Sequence, residues 1–213
     1  MLRSMGVKIQ TTMDGRVLRL KLDDGKANTM EATWVREMHA ALDHAEKSAG
    51  AVLIEGREGR FSGGLDLKVL PTLGRDALKE FVRDYQRCVL RIFMFPKPIV
   101  CAIAGHAIAG GAILALASDR RIMGDGDFQI GLREVAIGIP LPTFGCELAR
   151  SVMPPTSLVG AVMRGELYAP KLALACGMVD KVVPLSDLAA VALEEARETL
   201  AEDQRGKPGG LAC

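Results

Sequence analysis

Residues 98–118 read PIVCAIAGHAIAGGAILALAS, and this stretch carries no charge unless His106 is protonated. Its length satisfies the rule for a membrane-spanning helix, so a membrane protein is one alternative. The stretch is punctuated, however, because a strand-length run at 99–103 stops before Gly105, and a second apolar run at 112–117 follows a glycine pair. Short apolar runs separated by glycines are typical of buried elements in a layered protein. We therefore expect a strand, a turn and a helix, all buried.

The same alternation continues along the rest of the chain. Short β-branched and aliphatic runs indicate strands, and apolar residues spaced by three and four indicate amphipathic helices. Strands are expected at 7–13, 17–22, 51–54, 99–103, 121–123 and 180–183, and helices at 31–49, 76–94, 155–163, 170–176 and 188–200. This order predicts βαβ units and a fold of the α/β class. We expect one domain over residues 1–201 and a disordered tail at 202–213, which is rich in glycine and charge.

Local patterns predict how several elements begin and pack. Asp14 and Gly15 are a hairpin signal between the first two strands. Asn28 followed by Glu31 resembles a capping box for the first helix, and Ser186 is the expected cap of the last one. The second helix is expected to bury one stripe of side chains, namely Leu78, Phe81, Val82, Tyr85, Val89 and Ile92.

The charge balance argues against several classes of protein. The chain carries 27 Lys and Arg against 26 Asp and Glu, so no strong field attracts nucleic acid or an anionic membrane. Its five cysteines, an odd number without a Cys-x-x-Cys pair, indicate reduced thiols in a cytoplasmic protein. Residues 1–10 lack the apolar stretch of a signal peptide. His39 and His44 lie five apart and do not share a helix face, and no metal site is expected.

Two glycine turns are the candidates for chemistry. One turn, 59–67, follows the strand at 51–54, and the other, 105–111, follows the strand at 99–103. Each is expected to open a helix and to present backbone N–H groups at its positive end. Two such donors facing one point would form an oxyanion hole, which stabilises negative charge on a carbonyl oxygen. The phosphate-loop, dinucleotide-binding and nucleophile-elbow patterns do not occur in the chain.

Taken with further segments, these turns resemble the crotonase superfamily, also called the enoyl-CoA hydratase/isomerase family. The segments that carry the resemblance, in family order, are 26–28 (KAN), 61–67 (FSGGLDL), 96–98 (PKP), 105–111 (GHAIAGG), 131–134 (GLRE) and 175–180 (ACGMVD). The resemblance implies a ββα-superhelix, the spiral of the ClpP/crotonase type, assembled as a homotrimer or a dimer of trimers. It also implies an acyl-CoA thioester substrate, as in fatty acid metabolism.

Carried over position by position, the resemblance assigns the two oxyanion-hole amides to Leu65 and Gly110. It assigns contacts with coenzyme A to two segments, whose residues are Lys26, Ala27, Ser62, Gly63, Leu65, Asp66 and Leu67. Lys26 would meet a phosphate or, alternatively, be a solvated loop lysine. Coenzyme A enters as part of the substrate, and no tightly bound cofactor is expected.

Two positions bear on the reaction. Hydratases of this family use two glutamates to hold and activate water, and the first position is Ile113 here whereas the second is Glu134. A single carboxylate beside an oxyanion hole suits a proton shift, as in Δ3,Δ2-enoyl-CoA isomerases. We expect Glu134 to be the acid/base, with a pKa raised by a dry acyl pocket. The alternatives are an ion pair of Glu134 with Arg133 or a neighbour, hydration despite Ile113, and a non-catalytic acyl-CoA-binding protein.

Two departures from the family concern the acyl pocket and the assembly. Where the family has a Pro-Gly-x-Gly-Gly loop, residues 140–145 read PLPTFG, which we expect to reshape the pocket wall. The chain stops soon after the helix at 188–200, so it resembles a short member without the usual C-terminal helical extension. Asp66 and Arg133 are expected to be structural or near coenzyme A, and His106 is a lesser catalytic candidate.

Overall fold

The computed structural model describes residues 8–203, so the predicted strand position Val7 and the tail at 204–213 lie outside the described residues. The strands are β1 (Ile9–Asp14), β2 (Val17–Leu22), β3 (Thr29–Met30), β4 (Ala51–Glu55), β5 (Gly59–Ser62), β6 (Gly64–Leu65), β7 (Ile99–Ile103), β8 (Gly105–Ile108), β9 (Arg120–Asp125), β10 (Ile130–Gly131) and β11 (Lys181–Pro184). The helices are α1 (Ala32–Ser48), α2 (Arg75–Phe93), α3 (Gly110–Leu116), α4 (Thr143–Val152), α5 (Pro155–Leu158), α6 (Pro170–Ala175) and α7 (Leu188–Asp203). A π-helical segment, Val159–Met163, continues α5, and 3₁₀ turns occupy Leu70–Thr72, Val135–Ile137 and Leu185–Asp187.

Six strands form the main sheet, in the order β1-β2-β4-β7-β9-β11. The first two are an antiparallel hairpin, and every other neighbouring pair is parallel. Parallel sheets are covered on both faces, which explains why every residue of β4 and β7 is buried. One face packs against α1, α2 and α3, and the other against α7. The predicted α/β class is confirmed.

Most parallel strands of the main sheet are followed by a shorter strand and then a helix. This order occurs as β2-β3-α1, β4-β5-β6-α2, β7-β8-α3 and β9-β10-α4. The short strands pair with one another outside the main sheet, β8 between β5 and β10, and β3 with β6. The repeated strand-strand-helix turn is the predicted ββα-superhelix, and it brings β6 against α3.

The apolar stretch at 98–118 divides into short elements. The strand β7 has the predicted bounds, β8 fills the expected turn, and α3 begins at Gly110. Every residue of α3 is buried. Across residues 8–203 no helix has the length and apolarity that crossing a bilayer requires. The strand and the helix are buried as expected, whereas the turn between them is only half-buried at Ala104, His106, Ile108 and Ala109.

The capping box predicted at Asn28 and Glu31 is wrong. Glu31 is the N-cap residue of α1, but no side chain caps that end. Asn28 instead has a φ of 51°, in the left-handed region that Asn tolerates better than most residues. Its buried Nδ2 donates to the carbonyls of Leu22 at 2.8 Å and Phe61 at 3.1 Å. Hydrogen bonds to distant backbone therefore replace the local cap.

Three smaller expectations also need correction. On α2, Val82 is 41% exposed because it lies at the edge of the buried stripe, Leu78 is half-buried, and Cys88 is buried within the stripe. Ser186 lies within a 3₁₀ turn that runs directly into α7, and its hydroxyl donates to the Asp187 carboxylate at 2.8 Å. The last helix extends to Asp203, two residues into the expected tail.

Candidate active site

The second glycine turn ends at a strained residue. Ala109 has a φ of 51° and a ψ of −118°, values that a residue with a side chain rarely adopts. Its N–H donates to the Gly131 carbonyl at 2.9 Å, which ties the turn to β10. The next residue, Gly110, is the first of α3, so its own N–H has no acceptor within the helix. The turn thus presents the Gly110 amide at the start of a buried helix.

The first glycine turn brings a second amide to the same place. Asp66 donates its N–H to the Met30 carbonyl at 3.0 Å. Because successive peptide groups of a strand alternate in direction, the Leu65 N–H points away from β3. A Cβ placed on Gly110 would lie 3.3 Å from the Leu65 nitrogen, and one placed on Gly64 would lie 2.7 Å from the Gly110 nitrogen. The structure therefore brings together the Leu65 and Gly110 amides, which the family resemblance selects. Glycine precedes the first of these amides, at Gly64, and carries the second, at Gly110.

The first turn does not open a helix, contrary to expectation. After β6 the chain passes through the 3₁₀ turn, and α2 begins only at Arg75. The Asp66 carboxylate holds this connection, since it accepts the Lys68 N–H at 2.9 Å and the Thr29 hydroxyl at 3.2 Å. The Leu65 amide is consequently a strand N–H without a helix dipole behind it.

A chain of hydrogen bonds supports the Leu65 side. The Ser62 hydroxyl is completely buried, donates to the Asn28 carbonyl at 2.7 Å and accepts the Gly64 N–H at 3.1 Å. The Asn28 side chain in turn is fixed by its bonds to distant carbonyls. Ser62 therefore positions the peptide next to Leu65 from a fully buried position.

Glu134 is the buried carboxylate of this region. It follows β10, the neighbour of the strand that leads to Gly110. The residue is 8% exposed, and its Oε2 has no hydrogen-bond partner in the part of the chain that the structure describes. Burial raises the pKa of the Glu134 carboxyl above its ordinary value. An unpartnered buried carboxylate is costly to the fold, which is typical of a group kept for chemistry.

The ion-pair alternative for Glu134 is wrong. The neighbouring Arg133 points elsewhere, because its Nη1 donates to the Gly165 carbonyl at 2.9 Å. Glu134 forms no salt bridge with any residue of 8–203. Arg133 therefore secures the loop, and Glu134 is left without a cation.

The wall beside the site is apolar at Ile113. This residue is buried one turn into α3, and a Cβ placed on Gly145 would lie 3.5 Å from its Cδ1 and 3.0 Å from Leu141 Cδ1. The second half of the 140–145 segment is helical, because α4 begins at Thr143. The side chains of this segment thus pack against α3, and α3 itself carries no titratable residue.

His106 is engaged with backbone. Its Nδ1 accepts the Gln129 N–H at 3.2 Å, and its ring packs edge-on to Phe128. Partial burial and the nearby Arg60 charge lower the pKa of His106, so the neutral form that this bond requires is favoured. These contacts give His106 a structural role on β8.

The two segments expected to meet coenzyme A lie side by side. Gly63 donates its N–H to the Ala27 carbonyl at 2.8 Å, and Arg57 donates to the Lys26 carbonyl. Lys26 and Leu67 are exposed. The segments thus form one continuous surface next to Leu65, while the contacts with coenzyme A stay a prediction.

Tyr85 is a residue of the site that sequence reasoning assigned only to the core. It is 3% exposed, and its hydroxyl donates to the Gly110 carbonyl at 3.3 Å. Burial, and then the nearby Glu134 carboxylate, raise the pKa of Tyr85. Tyr85 therefore contacts the amide turn and lies within reach of the Glu134 charge. Its place in an apolar stripe gave no signal of this, because the link depends on how α2 crosses α3.

A family model described as enoyl-CoA hydratase/isomerase matches residues 12–205. The chain belongs to the enoyl-CoA hydratase/isomerase family. It is 32% identical over 194 residues to a putative enoyl-CoA hydratase of Thermus thermophilus, which covers 89% of the chain and 74% of the relative. It is also 32% identical over 184 residues to the mitochondrial enoyl-CoA delta isomerase 1 of Mus musculus, over 84% of the chain and 63% of the relative.

Solved structures of the family share the fold. A Pseudomonas syringae protein of the enoyl-CoA hydratase/isomerase family matches with a TM-score of 0.88 and 37% identity, over 93% of this chain and 86% of that one. An apo enoyl-CoA isomerase of Mycobacterium tuberculosis matches with a TM-score of 0.87 and 30% identity, over the same shares. The chain has the crotonase fold and is an enzyme of that superfamily. Hydratases and isomerases both occur among its relatives, so the names do not choose the reaction.

Proposed function

We propose that this enzyme moves a double bond in an acyl-CoA thioester by a 1,3-proton shift of the Δ3,Δ2-enoyl-CoA isomerase type. The observation that carries the proposal is Glu134, a buried carboxylate whose Oε2 has no hydrogen-bond partner among the described residues. Its charge acts on Tyr85, whose hydroxyl donates to the Gly110 carbonyl. The thioester carbonyl would accept hydrogen bonds from the Leu65 and Gly110 N–H groups. These donors are fixed by the backbone, so they need no rearrangement as charge develops.

The proton shift uses one base twice. The Glu134 carboxylate takes a proton from C2 of a 3-enoyl thioester, and the electron pair moves onto the thioester oxygen to give a dienolate. The amides stabilise that oxygen anion. The Glu134 carboxylic acid then returns the proton to C4, the C2–C3 double bond forms, and the carbonyl is restored. A raised pKa suits both halves, because the base must also act as an acid near neutral pH.

Hydration is the less favoured reaction because of Ile113. Adding water needs a group that orients the nucleophile in addition to the base that activates it. The position one turn into α3 is apolar and packs against the α4 region. Because α3 carries no second carboxylate, Glu134 alone would have to orient and activate the water.

The surface around Lys26 and Gly63 would hold coenzyme A as part of the substrate. The backbone of this surface lies directly beside Leu65. The carbonyl of a thioester bound there would therefore reach the Leu65 and Gly110 N–H groups. Exposed Lys26 would contact a phosphate.

The deciding experiment incubates the purified enzyme with 3-enoyl-CoA and 2-enoyl-CoA thioesters of several chain lengths. We expect interconversion of the two, without 3-hydroxyacyl-CoA. Formation of 3-hydroxyacyl-CoA carrying oxygen from labelled water would overturn the isomerase assignment in favour of hydration.

The role of Glu134 is tested by Glu134→Gln, with Glu147→Gln on exposed α4 as the matched control. The Glu134 variant should lose several orders of magnitude in kcat and still bind a saturated acyl-CoA. The control should match the wild type, because Glu147 only pairs with Arg150 on the surface. An unchanged rate in Glu134→Gln would remove Glu134 from the mechanism, and binding without turnover in the wild type would indicate a non-catalytic protein.

A further inference from the structure

The Tyr85 hydroxyl lies where the two proposed oxyanion-hole amides meet. A Cβ placed on Gly110 would be 2.9 Å from Tyr85 Oη and 3.3 Å from the Leu65 nitrogen. The Tyr85 hydroxyl and the Leu65 amide therefore approach the same side of Gly110, the residue that carries the second proposed donor.

The Tyr85 hydroxyl forms only a weak hydrogen bond within residues 8–203. Its hydrogen bond to the Gly110 carbonyl is 3.3 Å long, beyond the usual 2.5–3.0 Å range for O–H···O bonds. The phenol ring is fixed, because it stacks on Phe81 at 6.4 Å and meets Phe144 edge-on at 6.2 Å between centroids. Rotation about the C–O bond alone would redirect the proton, so a better acceptor on that side of Gly110 could accept it.

We propose that the Tyr85 hydroxyl is a third hydrogen-bond donor to the thioester oxygen, acting together with the Leu65 and Gly110 amides. This inference rests on the proposed function, since it assumes that the oxygen of an enolate forms there. As the dienolate develops, the hydroxyl shortens its hydrogen bond to the oxygen anion without transferring its proton. Tyrosine hydroxyls are among the side-chain donors that oxyanion holes use.

The electrostatic setting keeps the hydroxyl protonated. Burial and the Glu134 carboxylate both raise the pKa of Tyr85, as does Cys88 on the same helix to a smaller extent. Among the charged residues of the neighbouring elements, Arg133 is bonded to the Gly165 carbonyl, and Glu147 pairs with Arg150 on exposed α4. The donor thus remains available across the pH range in which Glu134 titrates.

The test is Tyr85→Phe, which removes only the oxygen and leaves the aromatic packing. The matched control is Tyr168→Phe, because Tyr168, the other tyrosine of the chain, donates to Glu166 outside the site. We expect Tyr85→Phe to lower kcat/KM for the isomerised 3-enoyl-CoA by about 10- to 100-fold. The control should retain wild-type kinetics, and both variants should melt within a few degrees of the wild type.

A second measurement separates a donor from a structural tyrosine. Acetoacetyl-CoA, a 3-ketoacyl thioester, forms an enolate whose near-ultraviolet absorbance reports directly on charge stabilisation. Tyr85→Phe should weaken enolate binding by about the same factor as kcat/KM, while the affinity for saturated butyryl-CoA stays unchanged. Equal losses for both ligands, or no loss in kcat/KM, would overturn the inference.

Different results would contradict the proposed isomerase function and the donor role of Tyr85. A wild-type protein that neither isomerises enoyl-CoA nor forms the acetoacetyl-CoA enolate would contradict the proposed function itself. A wild-type protein that does both, with an equally active Tyr85→Phe variant, would contradict only the role of Tyr85.

Discussion

The two glycine turns supply the same kind of group, a backbone N–H, but the protein fixes them by different means. The Leu65 turn is held by side chains, through the chain from Asn28 to Ser62 to the Gly64 N–H. The Gly110 turn is held mainly by backbone, through the left-handed Ala109 and the bond from its N–H to Gly131, with one long side-chain bond from Tyr85 to the Gly110 carbonyl. The Leu65 donor can therefore be weakened by deleting the Ser62 hydroxyl, whereas the direction of the Gly110 amide depends chiefly on Ala109 and the glycine itself.

Adjacent glycines in the second turn differ in what surrounds them. A Cβ on Gly110 would lie 2.9 Å from the Tyr85 hydroxyl and 3.3 Å from the Leu65 nitrogen, whereas a Cβ on Gly111 would lie 2.3 Å from the Ser62 carbonyl oxygen. The first position is crowded, and the second is a backbone contact between α3 and β5 that leaves no space at all. Glycine suits both positions because of close packing, and the demand is stricter at Gly111.

Among changes within the two turns that leave a folded protein, Gly110→Ala should cause the largest loss of rate. The added methyl group would lie between the amides and exclude the thioester oxygen, so kcat/KM should fall by at least about 10²- to 10³-fold, the loss typical of one missing donor. The variant should fold with a reduced free energy of unfolding, because the Tyr85 hydroxyl and the Gly64 and Leu65 backbone must each give by a few tenths of an ångström.

Gly74→Ala is the matched control, since a Cβ there meets nothing within 4 Å. By contrast, Gly111→Ala should abolish folding, as measured by circular dichroism. If Gly110→Ala unfolded and Gly111→Ala were merely inactive, the assignment of the two glycines would be reversed.

Ser62→Ala should come next, with a loss in both stability and rate. It leaves the buried Gly64 N–H and Asn28 carbonyl without their partner, at a cost of about 1 to 3 kcal/mol in the free energy of unfolding. A looser Leu65 peptide should lower kcat by roughly 10-fold. Denaturant titration and steady-state kinetics measure the two effects, and a stability loss without a rate change would show that Ser62 supports the fold only.

The fold was predictable because its signals are local. Aliphatic runs between glycines predicted β7 to the residue, and the alternation of strands and helices predicted the parallel sheet. The two-residue strands β3, β6 and β10 were not predicted, because two residues are too few to show a period of two. These short strands are nevertheless what places the Leu65 amide.

The site was predictable only in part, for a related reason. Family resemblance could name Glu134, Leu65 and Gly110, and the structure brings the two amides together. It could not give the local roles of Asn28 or Tyr85, because those depend on which distant backbone each side chain meets. A capping pattern at Asn28 and an apolar stripe at Tyr85 describe only residues that are close in sequence. At both positions the side chain is placed instead by a hydrogen bond to backbone farther along the chain.

The pH dependence should be the same whichever turn is altered, because neither amide titrates. The raised pKa of Glu134 predicts that kcat/KM falls on the acid side at a pH above the ordinary range of a glutamate. Ser62→Ala should lower the whole profile without moving this limb. If Ser62→Ala moved the acid side of the kcat/KM profile to another pH, the hydrogen bonds of the Ser62 hydroxyl would also influence the protonation of Glu134.

The same pKa predicts a stability change of opposite sign to the change in rate. A carboxyl that binds its proton more tightly in the folded state loses stability as pH rises through the interval from its unfolded to its folded pKa. Glu134→Gln should therefore raise the free energy of unfolding at neutral pH, by on the order of 1 kcal/mol. The gain should vanish at pH values below the ordinary range of a glutamate, where both states are protonated, and a gain that persisted there would have another cause.

The smallest effect should be that of Ala109→Gly, which tests the strained side of the comparison. Removing the methyl group relieves backbone strain in the folded state, but it also raises the conformational entropy of the unfolded chain. The two contributions to the free energy of unfolding are each about 1 kcal/mol and have opposite signs. Stability should therefore change by less than about 1 kcal/mol. The rate should fall a few-fold, because the Gly110 amide would be held in a wider range of directions. A variant as active as the wild type would show that helix α3 alone fixes this donor, and that strain at Ala109 serves packing against Gly64 instead.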